Sequence, residues 1–175
     1  GAGNLRYESK EISPFPSPGG PGSYVANGSE HDVFGDTTHL AKYHIHMTER
    51  RFSKLNLLED GTYEAENTQA KIAVMPWGGS KGSVREALDL LVAEGVDLGW
   101  YYTMFVSPLP TKMLEELLSK DLVIVPELNF QGQMALNLRS YGIKAEAITQ
   151  YTGLPFGPSD LAGRIKQLLA GAIKV

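Results

Sequence analysis

From residue 70 onward, short apolar runs of the strand type alternate with segments of helical periodicity, and only short loops separate them. Strands that alternate with single helices in this way pair in parallel through right-handed crossovers. The pattern predicts an α/β fold with three layers, in which helices cover both faces of a doubly wound, mostly parallel sheet. Ligands of such folds bind beyond the carboxyl ends of the strands. The predicted strands are residues 70–75, 96–103, 122–125 and 143–149.

The chain before residue 70 is divided into two further segments. Residues 1–36 are rich in Gly, Pro and Ser, and the prolines and glycines of 13–22 exclude a helix or a central strand. This stretch is predicted to be an inter-domain segment, either a linker or an ordered loop packed on a neighbouring domain, so further protein is expected upstream. Residues 23–26 form a candidate edge strand. Residues 37–69 are predicted to be a connecting helix, capped by Asp36 or Thr37, and a polar loop over 60–69.

The composition restricts the classes of function. The chain has 175 residues, 42% of them apolar, and a formal net charge of −4, which fits a globular domain without a nucleic-acid surface. No apolar run is long enough to cross a membrane and no secretory signal is present, so a cytoplasmic location is predicted. The chain contains no cysteine, which excludes disulfides, cysteine nucleophiles and protein-held iron–sulfur clusters.

A glycine-rich turn follows the first predicted strand and precedes a helix. Backbone N–H groups at a helix start can bind an anion, which makes this turn a candidate ligand site. Its spacing matches neither the phosphate loop nor Gly-x-Gly-x-x-Gly, and the alternative is a tight turn with close strand–helix packing. The candidate residues are Gly78, Gly79, Ser80, Gly82 and Ser83.

A second polar group follows the strand at 122–125, where doubly wound folds place their sites. It consists of Glu127, Asn129, Gln131 and Gln133. These side chains either cap the next helix or contact another subunit, and the pattern leaves both interpretations open.

Glu30 and His31 lie in an acidic and polar loop and are predicted to be surface or interface residues. The other histidines, at 39, 44 and 46, lack a carboxylate set at matching spacing, so no metal site is predicted.

Seven short motifs, in order over most of the chain, resemble core domain II of the alpha subunit of 2-oxoacid:ferredoxin oxidoreductases, the pyruvate and 2-oxoglutarate synthase family. Asn27, Ser29 and Gly79 depart from the usual pattern. The motifs are Ile12-Ser-Pro with Pro18-Gly-Gly, Asn27-Gly-Ser-Glu-His-Asp32, Met47-Thr-Glu-Arg-Arg-Phe-Ser-Lys54, Trp77-Gly-Gly-Ser with Gly82 and Val84-Arg-Glu-Ala87, Pro108-Leu-Pro110, Glu127-Leu-Asn-Phe-Gln-Gly-Gln133 and Tyr151-Thr-Gly-Leu-Pro-Phe-Gly-Pro158.

The resemblance implies a fold similar to the C-terminal domain of transketolase, with about five strands and one antiparallel edge strand, here residues 23–26. It also implies oxidative decarboxylation of a 2-oxoacid, 2-oxoglutarate or pyruvate, to the acyl-CoA. Thiamine diphosphate, magnesium and 4Fe-4S clusters are expected in the complete complex and none of them in this chain, which lacks the Gly-Asp-Gly motif and cluster cysteines. The implied partners are an N-terminal pyrimidine-binding domain of the same subunit, a beta subunit, gamma and delta subunits, and ferredoxin through the complex.

The first functional hypothesis is therefore a structural and assembly domain that is inactive alone. The alternatives are the C-terminal domain of a transketolase-like or pyruvate dehydrogenase beta subunit, and a module that binds a small anion or coenzyme A. Self-association to a homo-oligomer is also predicted, because apolar residues at a domain interface need cover. The residues predicted to be exposed there are Tyr101, Tyr102, Phe105 and Phe130.

Overall fold

The computed structural model describes residues 7, 12–13, 15–24, 26, 28–58 and 60–172, and it divides into two compact units, Gly1–Glu59 and Asp60–Val175. Among its described residues, the first unit contains one helix, α1, and a 3-10 turn at Lys54–Leu58. The described part of the second, the α/β unit, contains five strands and four α-helices. The bounds are α1 Ala41–Ser53, β1 Tyr63–Glu66, β2 Ile72–Val74, α2 Lys81–Ala93, β3 Gly99–Thr103, α3 Thr111–Leu118, β4 Leu122–Glu127, α4 Gln133–Ser140, β5 Ala145–Thr149 and α5 Pro158–Ala172.

The strands form one sheet in the order β1-β3-β2-β4-β5. The pairs β2–β3, β2–β4 and β4–β5 are parallel, and β1 pairs with β3 in the antiparallel direction. The predicted three-layer, mostly parallel fold is thus confirmed. The strands that follow β2 in the chain, β3 and β4, lie on opposite sides of it, so β2 is at the topological switch point of the sheet. In folds of this kind a crevice opens at the carboxyl ends of the strands at that point.

Two apolar cores lie on the two faces of the sheet. Buried side chains of α2 and α5, such as Leu91 and Ile165, pack against Val74 and Ile124 on one face. Residues of α3 and α4, such as Met113 and Leu138, pack against Val123 and Val125 on the other. Alternate residues of β4 therefore enter different cores, which explains why this strand is apolar without interruption.

The antiparallel edge strand is β1, so its prediction at residues 23–26 is wrong. Ser23, Tyr24 and Ala26 are outside any strand, and Val25 lies outside the described residues. The segment 60–69, predicted to be a loop, contains the strand instead. Tyr63 and Ala65 pack toward one core, and the Tyr63 hydroxyl donates a hydrogen bond to Glu116 at 2.6 Å.

The outward side chains of β1 are held by cations of α2. Lys81 Nζ lies 2.6 Å from Glu64, and Arg85 donates two hydrogen bonds to Glu66, at 2.8 and 2.9 Å. The strand is therefore fixed to the sheet on one side and to a helix on the other.

Helix α1 begins at Ala41 rather than at the predicted cap, Asp36 or Thr37. The reason is a turn centred on Asp32, whose carboxylate accepts hydrogen bonds from the backbone N–H groups of Phe34 and Asp36. A backbone bridge between His31 and Thr37 closes this turn. Residues 36 and 37 are therefore in a loop, and the helix starts later.

Glu30 is tied to α1 within the first unit. Its carboxylate accepts two hydrogen bonds from the Arg51 guanidinium, at 3.2 and 2.9 Å, and its Oε2 lies 2.5 Å from His44 Nδ1. The neighbouring His31 ring lies over Tyr7, with ring centroids 4.0 Å apart, and its Nδ1 lies 2.9 Å from the Asp32 carbonyl oxygen. Both residues thus have partners within their own unit.

Glu30 makes this unit sensitive to acid. The hydrogen bonds from Arg51, and then from His44, lower the pKa of Glu30 from 4.5 to about 2. A carboxyl whose pKa is depressed on folding stabilises the fold above its unfolded pKa and loses that effect as the pH falls toward the folded pKa. We expect the side-chain NMR shift of Glu30 to titrate near pH 2, and the Glu30→Gln variant to lack this acid-labile contribution. Titration of Glu30 near pH 4.5 would contradict the contact.

Candidate functional site

A cleft opens at the carboxyl ends of β2 and β4, where the order of connection reverses. Its volume is about 330 Å³. The loop 75–80 forms one wall and the loop 128–132, with the start of α4, forms the other. The cleft is lined by Trp77, Gly78, Gly79, Ser80, Leu128, Asn129 and Gln133. The two polar groups predicted separately from the sequence therefore meet at one place.

Glu127, the last residue of β4, is fully buried beside this cleft. Its Oε2 accepts hydrogen bonds from the Trp77 indole Nε1–H at 3.2 Å and from the Asn129 amide at 2.7 Å. The backbone N–H groups of Met134 and Ala135 donate to the same carboxylate, each at 2.9 Å. Four donors thus converge on one buried carboxylate, which is the way a buried acidic group is tolerated.

This arrangement caps α4. The first N–H groups of a helix have no partner within the helix, and Glu127 supplies acceptors for two of them. Asn129 supplies another acceptor, because its Oδ1 accepts from the N–H of Gly132 at 2.7 Å and from that of Gln133 at 3.3 Å. Glu127 and Asn129 thus form a capping network, and a contact of this group with another subunit stays a prediction.

Gly132 makes the capping network possible through its own geometry. It adopts a left-handed conformation with φ 68° at the start of α4. A Cβ at this position would lie 2.7 Å from the Cβ of Ala147 on β5. A residue with a side chain therefore fits neither the backbone conformation nor the space.

The glycine-rich turn is a 3-10 turn over Gly78–Ser80 that leads into α2. Gly78 has a positive φ of 56°, and the Ser80 hydroxyl donates a hydrogen bond to the Trp77 carbonyl at 2.8 Å. Ser80 is buried, so its hydroxyl closes the turn. Gly82 and Ser83 belong to the first turn of α2 and are not among the residues that line the cleft.

The remaining predicted residues are placed as follows. Gln131 is exposed and is not part of the cleft lining. Tyr101, predicted to be exposed, is fully buried, and its hydroxyl donates to Glu116 at 2.9 Å, so that prediction is wrong. Tyr102 and Phe105 are half-buried, whereas Phe130 is 72% exposed. Trp77 and Leu128 were not predicted as site residues, although Leu128 directly follows β4 and Trp77 lies three positions after the end of β2.

The residues that line the cleft are uncharged. None of the seven residues that line it carries a charge, and its walls combine an indole and an isobutyl group with primary amides. Among the described residues, no group of three or more His, Asp or Glu is arranged to hold a metal ion. Within the same part of the chain, no helix is long and apolar enough to span a membrane.

The Trp77 contact can be tested by substitution. Trp77→Phe keeps most of the apolar wall but removes the indole donor to Glu127. We expect the free energy of unfolding to fall by about 1.5 to 3 kcal/mol, the usual contribution of a hydrogen bond to a charged group. Urea denaturation followed by circular dichroism measures this. No change in the transition midpoint would show that the indole N–H contributes nothing to stability.

Comparison with known proteins shows which family this chain belongs to. The sequence profile of the family described as "Pyruvate:ferredoxin oxidoreductase core domain II" matches residues 70–156. The alpha subunit of 2-oxoacid:ferredoxin oxidoreductase 2 of Aeropyrum pernix is 31% identical over 159 residues, which are 86% of this chain and 25% of that protein. The 2-oxoacid:ferredoxin oxidoreductase subunit alpha of Saccharolobus solfataricus is 29% identical over 175 residues, covering 94% of this chain and 28% of that protein.

A solved structure agrees with these sequence matches. The 2-oxoglutarate:ferredoxin oxidoreductase of Magnetococcus marinus, with 2-oxoglutarate, coenzyme A and succinyl-CoA bound, superposes with a TM-score of 0.75 and 33% identity, covering 95% of this chain and 31% of that one. The chain spans about a quarter of the length of the curated relatives. From its profile match, its relatives and its fold, the chain belongs to the alpha-subunit family of the 2-oxoacid:ferredoxin oxidoreductases and carries their core domain II.

Proposed function

We propose that this chain serves as the structural and assembly domain of the alpha subunit in a 2-oxoacid:ferredoxin oxidoreductase. The proposal rests on the hydrogen bonds that the Glu127 carboxylate accepts. This carboxylate lies at the position where such folds place reactive groups, yet both its oxygens accept hydrogen bonds that fix the start of α4. The edge of the sheet is thus built for rigidity, and the reacting groups come from elsewhere in the enzyme.

The proposed reaction is the oxidative decarboxylation of a 2-oxoacid to its acyl-CoA with electron transfer to ferredoxin. The Magnetococcus marinus relative, which covers 95% of this chain, binds 2-oxoglutarate, coenzyme A and succinyl-CoA. We therefore take 2-oxoglutarate as the first substrate to test and pyruvate as the second.

We propose that the cofactors of that reaction bind outside the described part of this chain. Magnesium in proteins prefers oxygen ligands such as carboxylates, and among the described residues no group of three or more His, Asp or Glu is arranged to hold a metal ion. Iron–sulfur clusters need thiolates, and the sequence contains no cysteine. We assign thiamine diphosphate, magnesium and 4Fe-4S clusters to the proposed partners: a pyrimidine-binding domain and beta, gamma and delta subunits.

Coenzyme A binding in the cleft is not favoured. Coenzyme A carries several phosphate charges, and Lys or Arg side chains are what usually neutralise such groups in proteins. The residues that line the cleft include neither. The other alternative, the C-terminal domain of a transketolase-like or pyruvate dehydrogenase beta subunit, is not favoured either, because the sequence matches are to 2-oxoacid:ferredoxin oxidoreductases.

The proposal is tested by producing this chain together with the pyrimidine-binding domain and the beta, gamma and delta subunits and purifying the complex. We expect ferredoxin reduction that depends on coenzyme A and on 2-oxoglutarate or pyruvate. A pure, stoichiometric complex that oxidises neither 2-oxoacid would contradict the proposal.

A further inference from the structure

A groove lies beside β5, the strand at one end of the sheet. β5 pairs with β4 on one side and with no described strand on the other. The groove has a volume of about 900 Å³ and is formed at the amino ends of β4 and β5, away from the cleft at the carboxyl ends. Its floor is apolar and consists of Leu122, Ala145 and Leu168.

The rim of this groove carries four charged side chains, two of each sign. They are Asp121, Arg139, Lys144 and Glu146, and all four residues are exposed. Among the described residues, none of these four side chains takes part in an ion pair or a hydrogen bond. We call the apolar floor and this charged rim together the edge groove.

Lys144 and Glu146 lie on the same face of the sheet, because the side chains of a strand alternate between its faces. The strand pairing extends to Lys144, whose carbonyl accepts a hydrogen bond from the Val123 N–H at 2.8 Å. Ile148, the next residue on that face, is buried in the core that α2 and α5 cover, whereas Ala145 belongs to the other core. On this face, helix α5 therefore covers the carboxyl half of β5 and leaves the amino half open.

Two opposite charges that lie two positions apart on one strand face are complementary to a second copy of themselves. In a two-fold dimer, every contact between two residues occurs twice with the roles exchanged. An axis that passes beside Ala145 sets Lys144 of each copy opposite Glu146 of the other. A small ligand of one charge would meet a like charge on the same rim, so the pattern favours a second copy as the occupant.

We propose that the edge groove is the contact surface of a two-fold dimer of this chain, with Lys144 of each copy paired with Glu146 of the other. The apolar floors are covered in the same contact. Exposed ion pairs contribute little each and are screened by salt, so the dimer is weak and dissociates as the ionic strength rises. The inference does not depend on the proposed function, because it concerns side chains of this chain alone.

Sedimentation equilibrium of the chain over a range of concentrations tests the proposal. We expect a monomer–dimer equilibrium. Lys144→Glu and Glu146→Lys each place like charges opposite one another at two positions of the dimer, so each should weaken association at least about 10-fold. The double variant Lys144→Glu/Glu146→Lys exchanges the two charges and should associate about as tightly as the parent chain.

A matched control is the same change of charge outside the groove. Lys112→Glu, at an exposed position of α3, should leave the association unchanged. Urea unfolding of each variant at high dilution, where the monomer prevails, checks that the variants are folded. We expect midpoints equal to that of the parent, because Lys144 and Glu146 make no side-chain contact of the kinds named above within the described chain.

Three results would overturn the proposal. A parent chain that stays monomeric at every concentration has no such dimer, and single variants that associate like the parent place the contact elsewhere. A double variant that does not recover association shows that the two charges do not meet. If exchange of the 143–147 amide hydrogens slows only in the assembled enzyme and not as the chain alone is concentrated, another subunit fills the groove and the dimer proposal is wrong.

Discussion

Replacing Glu127 with alanine is expected to lower the free energy of unfolding by about 3 to 5 kcal/mol, the range seen when one partner is removed from a buried polar network. The N–H groups of Met134 and Ala135 lose their acceptor inside the fold, and so does the Trp77 indole. Since a domain is stable by about 5 to 15 kcal/mol in total, this one change removes a large fraction.

Urea denaturation followed by circular dichroism at neutral pH measures the effect. Glu127→Gln keeps the volume and one acceptor oxygen, so we expect a smaller loss of about 2 kcal/mol, which keeps the experiment informative where the alanine variant does not fold. Glu146→Ala, at an exposed position of β5, is the control and should stay within about 0.5 kcal/mol of the parent chain. A Glu127→Ala chain as stable as its control would mean that the capping network does not stabilise α4.

Gly132→Ala is expected to destabilise the α/β unit by about 2 to 4 kcal/mol, since a left-handed φ and an overpacked contact each cost about 1 to 3 kcal/mol. The added Cβ would lie 2.7 Å from the Ala147 Cβ, and φ at this position is 68°. The contacting atom is attached directly to the backbone of β5, so it cannot rotate away.

Gly82→Ala is the matched control for this substitution. Gly82 lies in the first turn of α2, and a Cβ there meets nothing within 4 Å. Alanine is the better helix former, so we expect a gain of up to about 1 kcal/mol. Equal effects of the two alanines on the urea midpoint would show that Gly132 is not held in the geometry described.

Periodicity predicted the α/β fold because each helix buries one stripe, such as Val84, Leu88 and Leu91 of α2. It missed β1 because four residues with two glutamates resemble a polar loop. The alternation of Tyr63-Glu-Ala-Glu66 was the one signal of a strand in this segment. The two glutamates are paired with Lys81 and Arg85 of α2, which lie more than a dozen positions away, and the local sequence does not reveal that pairing.

The candidate site was predictable in parts. Each polar group was found from its place after a strand, but only the parallel pairing of β2 with β4 brings them together. The role of Glu127 was not predictable, because it depends on an indole fifty residues away along the chain. The exposure predicted for Tyr101 was wrong, since its side chain is fully buried in one of the two apolar cores and its hydroxyl donates a hydrogen bond to Glu116.

The central claim is that this chain supplies structure while the reacting groups lie elsewhere in the enzyme. The most direct test is the release of labelled carbon dioxide from 2-oxoglutarate and pyruvate by the folded 175-residue chain alone, with thiamine diphosphate, magnesium and coenzyme A supplied. We expect the isolated chain to release carbon dioxide no faster than a sample without protein, whereas the assembled complex should release it readily. Turnover by the isolated chain, saturable in the 2-oxoacid, would contradict the claim.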